Sequence, residues 1–112
     1  MTNCLFCKMV SGEIKLDAVF EDDNILAFRD INPQAPVHIL VIPKCHIATL
    51  NALDDAELSG QLLQTAVNLA KQEGLSEDGY RTVFNCNKHG GQAVYHLHMH
   101  LLGGRQMSWP PG

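Results

Sequence analysis

Three histidines alternate with apolar residues in "YHLHMHLLGG", Tyr95 to Gly104: His96, His98 and His100 against Leu97, Met99 and Leu101. Side chains two residues apart share one face of an extended backbone. The spacing therefore predicts a strand that sends the three apolar side chains into a core and sets three imidazoles in a row opposite. Imidazole offers metal ligation on the one hand, and nucleophilic attack or proton transfer near neutral pH on the other. A single zinc ion held by all three is excluded by reach. On a strand rising about 3.3 Å per residue, His96 and His100 start about 13 Å apart. A ring holds a metal only about 6 Å from its own Cα, so the outer pair would have to bind in a nearly linear arrangement that a tetrahedral ion refuses. The three must divide their labour, one attacking, one binding oxygens or moving protons, one fixing the array. His98, in the middle, is best placed to attack phosphorus. A merely solvated polar face is the bland alternative, and it leaves unexplained why half of the chain's six histidines fall in one alternating run.

Cys4 and Cys7 form a C-x-x-C pair, with Cys45 and Cys86 single. Three readings of the pair are open: a redox dithiol, which would follow a strand and open a helix; thiols without a role; or half of a structural zinc site that needs two further ligands. A secreted disulfide framework does not fit this count and spacing in a chain without a signal-like start.

Composition narrows the function. The 112 residues are one domain's worth, and 46% hydrophobic content is enough for an ordinary core. A formal charge of −4 with scattered basic residues leaves no footprint for nucleic acid. No apolar run approaches membrane-spanning length, and a soluble, cytoplasmic protein is expected.

The elements that must position these side chains read as follows. Leu5, Phe6, Met9 and Val10 recur at helical spacing before Gly12, which predicts a short helix capped by that glycine. "AVFEDDNILAFRD" predicts two strands around Asp22, Asp23 and Asn24, and "HILVIP" a third closed by Pro43. Leu58, Leu62, Ala66 and Leu69 predict the long helix, with Asp54 as its cap, Glu57 completing a capping box, Leu53 stapling onto Leu58, and Gly74 ending it. "YRTVFN" and the histidine run should pair antiparallel across a loop "CNKHGGQ". The fold class is α+β: a mostly antiparallel sheet with one long and one short helix.

These residues resemble the histidine triad (HIT) superfamily. "HLHMHLL" matches its His-φ-His-φ-His-φ-φ signature, φ being apolar, and the likeness extends through "LFCKMVSGEI", "FEDDNILAFRDINPQAPVHILVIPK" and "GGQAVYHLHMH" to a tail "GGRQMSWPPG" similar to that of the nucleotide-binding (Hint) branch. The resemblance implies a single domain over residues 1–112 with a five-stranded sheet extended across a homodimer. It also implies hydrolysis of purine nucleoside phosphoramidates, such as adenosine 5′-phosphoramidate or adenylated lysine, to AMP and an amine.

In the mechanism so implied, His98 attacks the α-phosphorus and water then releases AMP from a covalent nucleotidyl-histidine. The His96 carbonyl would hold the Nδ1 proton of His98, and His100 would bind phosphate oxygen with His38 nearby. Asn85 and the backbone around Gly91, Gln92 and Ala93 would hold the phosphate, Asp30 the ribose hydroxyls, and Phe6, Phe28 and Ile31 the purine. Trp109 would reach across the dimer. Some bacterial members with this C-x-x-C complete a zinc site with two histidines; the corresponding set here is Cys4, Cys7, His46 and His96, with Cys45 an alternative ligand. Such a zinc would be structural, not required for the chemistry.

One departure stands out. Where the branch commonly carries Ser three residues before the first triad histidine, and a sister branch Thr, this chain has Ala93. The lost hydroxyl would cost from tenfold to about a thousandfold in rate. Rival readings are a nucleotide-binding regulatory module with weak catalysis, a dinucleoside polyphosphate hydrolase, which the short chain and "RQMSWPPG" tail disfavour, and a zinc hydrolase.

Overall fold

The structure, a computed structural model, describes residues 3–112. Five strands, β1 (Ala18–Glu21), β2 (Ile25–Arg29), β3 (Val37–Pro43), β4 (Tyr80–Phe84) and β5 (Met99–Gly103), form one antiparallel sheet in the order β1-β2-β3-β5-β4. The first hairpin turns where expected. Asp22 accepts the Asn24 and Ile25 amides on its carboxylate, both at 2.8 Å, an Asx turn of the kind these residues favour.

The long helix, α2 (Ala56–Gln72), crosses one face of the sheet. Its apolar stripe of Leu58, Leu62, Ala66 and Leu69 packs on Ile25, Ala27, Ile39, Val41, Leu97, Met99 and Leu101. The cap is Asp55 rather than Asp54: Oδ1 of Asp55 accepts the Leu58 amide at 3.0 Å. The helix starts one residue later than expected because Leu53 closes a preceding 3-10 turn (Leu50–Ala52) while packing on the core that holds Leu58. Glu57 therefore misses the capping-box position. At the other end Gly74, at φ 76°, turns the chain, with its amide on the Lys71 carbonyl and the Leu75 amide on the Ala70 carbonyl. That pair of bonds is a Schellman motif with Leu75 buried beneath it.

The opposite face carries the second core, Phe6, Leu26, Phe28, Leu40 and Ile42. Phe6 comes from the short helix α1 (Leu5–Ser11), which ends as expected at Gly12 in the left-handed region, φ 87°. Phe28, Leu40, His100 and Val83 sit in register across four strands of the sheet. His100 therefore shares its face with the core under α1, not with α2.

Two further sequence expectations are corrected. The histidine run is not all strand: β5 begins at Met99, and only His100 of the three lies in the ladder. The register pairs Val41 with Met99, and continued by two residues it would set Pro43, which has no N–H to extend a ladder, opposite Leu97. The Leu97 amide turns instead to the Ile47 carbonyl, at 2.6 Å. The side-chain alternation survives, because Leu97, Met99 and Leu101 are all buried under α2. The loop "CNKHGGQ" contains one helical turn, α3 (Asn87–Gly90), which aims the segment back toward the triad. Among the described residues no helix is long and apolar enough to cross a membrane.

Candidate active site

His98 is the residue whose state the backbone dictates most directly. Its Nδ1 lies 2.8 Å from the carbonyl oxygen of His96. A carbonyl only accepts, so the ring proton sits on Nδ1 and the lone pair is on Nε2. The ring lines a cavity of about 300 Å³ whose apolar wall includes Phe6, Met9, Leu16, Phe28, Leu40 and Val94. Phe6 meets the His98 ring edge-on, with centroids 5.2 Å apart.

A second chain of bonds fixes His100. The Gln34 amide donates to Nδ1 of His38 at 2.9 Å, so the His38 proton is on Nε2. That Nε2 lies 2.9 Å from Nδ1 of His100 and donates to it, leaving the His100 proton on Nε2. Both rings are neutral near pH 7. Burial, reinforced by the His98 and His38 rings, pushes His100 down to about 4. Burial also lowers His38, against the pull of the Asp30 carboxylate. His100 thus presents a neutral N–H and His98 a lone pair, from rings with centroids 5.0 Å apart.

His96 faces elsewhere. Its Nε2 lies 2.8 Å from the Pro43 carbonyl and must carry the proton, so Nδ1 offers a lone pair to Cys4 and Cys7. Sγ of Cys4 is 3.3 Å from that Nδ1, Sγ of Cys7 is 3.6 Å from it, and Cys7 is 3.4 Å from Nδ1 of His46. All four ligand atoms lie within 4.8 Å of one another. A tetrahedral zinc with arms of about 2.3 Å to sulfur and 2.1 Å to nitrogen requires S···N edges of about 3.6 Å, so the set fits that ion. Burial lowers His96, which keeps it in the neutral form a ligand needs, and raises Cys7. Cys45 is exposed, outside this cluster.

Asp30, His38 and His100 also lie within ligand distance of one another, and a metal there is refused by the same tautomer argument. The other nitrogen of His96 meets a carbonyl and leaves a lone pair for an ion, whereas that of His38 meets an amide and leaves a proton. The two clusters look alike by proximity and differ in chemistry.

The remaining candidates fall at varied distances from the cavity. Asp30 and Ile31 line it, Ile31 fully exposed at the rim. Asp30 accepts the Asn32 amide on Oδ1, and its Oδ2 stands 3.5 Å from His38 Nε2. Ala93 lines the cavity, while the amides of Gly91 and Gln92 are engaged by the carbonyls of Lys88 and Asn87. The Gln92 side chain is a latch, donating to the Ala48 and Val94 carbonyls and accepting the Asn87 amide. Asn85 backs Gly90, where a Cβ would come within 3.3 Å of its carbonyl carbon. Trp109 is 82% exposed with the Arg81 guanidinium 6.0 Å from its ring, away from the cavity of its own chain. Sequence reading missed Leu40, Leu16, Met9 and Val94 as cavity residues, and Gln34 as the source of the His38 tautomer. The parity of Leu40 with His38 on one strand was the available signal; Gln34 offered none.

The geometry agrees with what the chain is similar to. Residues 11–107 match the family model described as HIT domain. The purine nucleoside phosphoramidase of Escherichia coli K12 is 50% identical over 105 residues, covering 92% of this chain and 88% of that protein. The adenylylsulfatase HINT1 of Arabidopsis thaliana is 56% identical over 113 residues, covering 96% and 76%. The crystal structure of a HIT family hydrolase from Legionella pneumophila superposes with a TM-score of 0.96 at 65% identity, over 98% of this chain and all of that one. Fold and site define a nucleotide hydrolase of the histidine triad type. The chain belongs to the HIT domain family, alongside the relatives of its Hint branch.

Proposed function

We propose that the protein hydrolyses the P–N bond of purine nucleoside phosphoramidates, giving a nucleoside monophosphate and an amine, with His98 as nucleophile. The observation that carries this reading is the 2.8 Å bond from His98 Nδ1 to the His96 carbonyl, which leaves Nε2 unprotonated on a cavity wall. Nε2 bonds to the α-phosphorus as the P–N bond breaks, and the departing nitrogen takes up a proton. Water then attacks the nucleotidyl-histidine, losing a proton, and the N–P bond to His98 breaks to release the monophosphate. His100 donates its Nε2–H to a phosphate oxygen throughout. A neutral donor holds the anion without closing a salt bridge to it, which lets the product leave.

The apolar wall of Phe6, Phe28 and Leu40, with Ile31 at its lip, suits the face of a purine. Asp30 keeps lone pairs free for the ribose hydroxyls, since the Asn32 amide occupies only one of them. Ala93, with Gly91, Gln92 and Asn85 behind it, provides the backbone approach to the phosphate. Cys4, Cys7, His46 and His96 would hold a zinc ion as its four ligands, and such an ion would supply structural cross-linking of α1 to the sheet rather than catalysis. The protein works as a homodimer in the cytoplasm, its sheets joined edge to edge, and the exposed Trp109 reaches toward the partner's site.

The second reading, a nucleotide-binding module with little turnover, has Ala93 in its favour: it brings no hydroxyl to the phosphate. Mass spectrometry on protein quenched during turnover of adenosine 5′-phosphoramidate decides between them. An adduct of one nucleoside monophosphate on the peptide bearing His98 is expected. Turnover without that adduct, undiminished in His98→Ala, sinks the proposal, and binding of AMP without turnover establishes the second reading.

A further inference from the structure

Phe6 stands between the two cysteines in sequence and between the metal cluster and the nucleophile in space. Its ring is 4% exposed, and its centroid lies 5.9 Å from that of His96, 5.2 Å from His98 and 5.5 Å from Phe28. It is the buried residue of α1, a helix of seven residues. An isolated helix of that length does not persist in water, so α1 depends on what fastens it to the sheet. Its fastenings are the buried Phe6 ring, the partly buried Met9 and Val10 on the same core, and the approach of Cys4 and Cys7 to His96 and His46. The same helix supplies Leu5, Phe6 and Met9 to the cavity wall.

We infer that Phe6 is a positioning residue through which occupancy of the cluster Cys4, Cys7, His46 and His96 sets the affinity of the cavity for a nucleoside monophosphate. The inference rests on the metal and nucleotide readings of the preceding section. With the thiolates joined to both imidazoles through an ion, α1 is held down and the ring stays against His98 and Phe28. Without that junction the helix is left with one buried side chain, Phe6, and the partly buried Met9 and Val10, and the wall that takes the base loosens. A ligand that prefers the closed wall favours the closed cluster to the same degree, because coupling between two sites is reciprocal. His96 is shared by both sites, its ring turned to the thiols and its carbonyl to His98.

The test is calorimetric titration of AMP into the chain carrying stoichiometric zinc and into the chelated chain, with zinc affinity measured by competition against a chromophoric chelator with and without saturating AMP. AMP should bind about tenfold more weakly after zinc removal, and AMP should tighten zinc by the same factor, within the usual span of roughly 5- to 150-fold. In Phe6→Ala the AMP affinity should no longer depend on zinc; Phe6→Leu serves if that variant does not fold, and should show reduced coupling. Should the chelated chain lose its far-UV circular dichroism, the zinc competition on the folded, loaded chain decides alone. Equal zinc affinity with and without AMP, or coupling undiminished in the Phe6 variants, overturns the inference while leaving the metal reading intact. A chain that takes up no zinc overturns both, and a chain that binds zinc but no AMP overturns the nucleotide reading and this inference with it.

Discussion

His38 Nε2 lies 2.9 Å from His100 Nδ1, and the direction of that bond is set on the far side of His38 by the Gln34 amide. Two neutral rings in series thus carry the direction of a backbone N–H to a donor at His100 Nε2, which on the proposed reading faces the phosphate. His38→Ala removes the relay and lets His100 adopt either tautomer. The expected result is a fall in kcat of about tenfold to a hundredfold with KM changed little, since a preorganised donor acts mainly on the transition state. His38→Gln can place an amide N–H near the lost Nε2–H and should recover part of the rate. Equal kinetics for all three proteins would show that the relay is ornamental.

His98→Ala should reduce turnover of adenosine 5′-phosphoramidate by at least about a thousandfold, as for loss of a covalent nucleophile. AMP affinity should stay within about tenfold, because the apolar wall and Asp30 contribute most of the recognition. Steady-state kinetics and calorimetry on the same preparation check both.

Ala93→Ser adds a hydroxyl at the cavity wall beside the triad. A rise in kcat of tenfold or more, toward the roughly hundredfold that one added donor can contribute, is the expected outcome. An unchanged rate would mean that the backbone amide there already suffices.

The buried histidines make stability fall in acid, and the sign follows from His100. It is held neutral at about 4 in the fold against 6.5 when free, so the unfolded chain binds more protons between those values. This contribution is fully present above about pH 6.5 and is lost as pH falls toward about 4. Denaturant unfolding across that window should show a declining midpoint for the parent chain, and a shallower decline for His100→Asn. Parallel slopes would place the sensitivity at other groups.

Much of this architecture was legible in the chain. The helical stripe from Leu58 to Leu69 and the glycines at 12 and 74 are local signals that became the elements they predicted, and the apolar alternation at Leu97, Met99 and Leu101 correctly marked the buried face. The misreadings have a common cause. Asp54 and Asp55 are equally good caps by type, and the packing of Leu53 selected Asp55. The histidine run reads as uninterrupted strand until its register on β3 is known, which carries Leu97 opposite Pro43.

By itself the sequence determined that three imidazoles share a face and that they cannot all hold one ion, and it left the C-x-x-C pair open to more than one chemistry. Tertiary structure decided which nitrogen of each imidazole carries the proton, because that depends on what the second nitrogen meets. That atom meets the carbonyl of Pro43, 53 positions from His96, and a backbone amide four positions from His38, whose ring then meets His100 across 62 positions. Residue type and spacing carry no record of whether such a distant group donates or accepts; only the folded chain brings the two together.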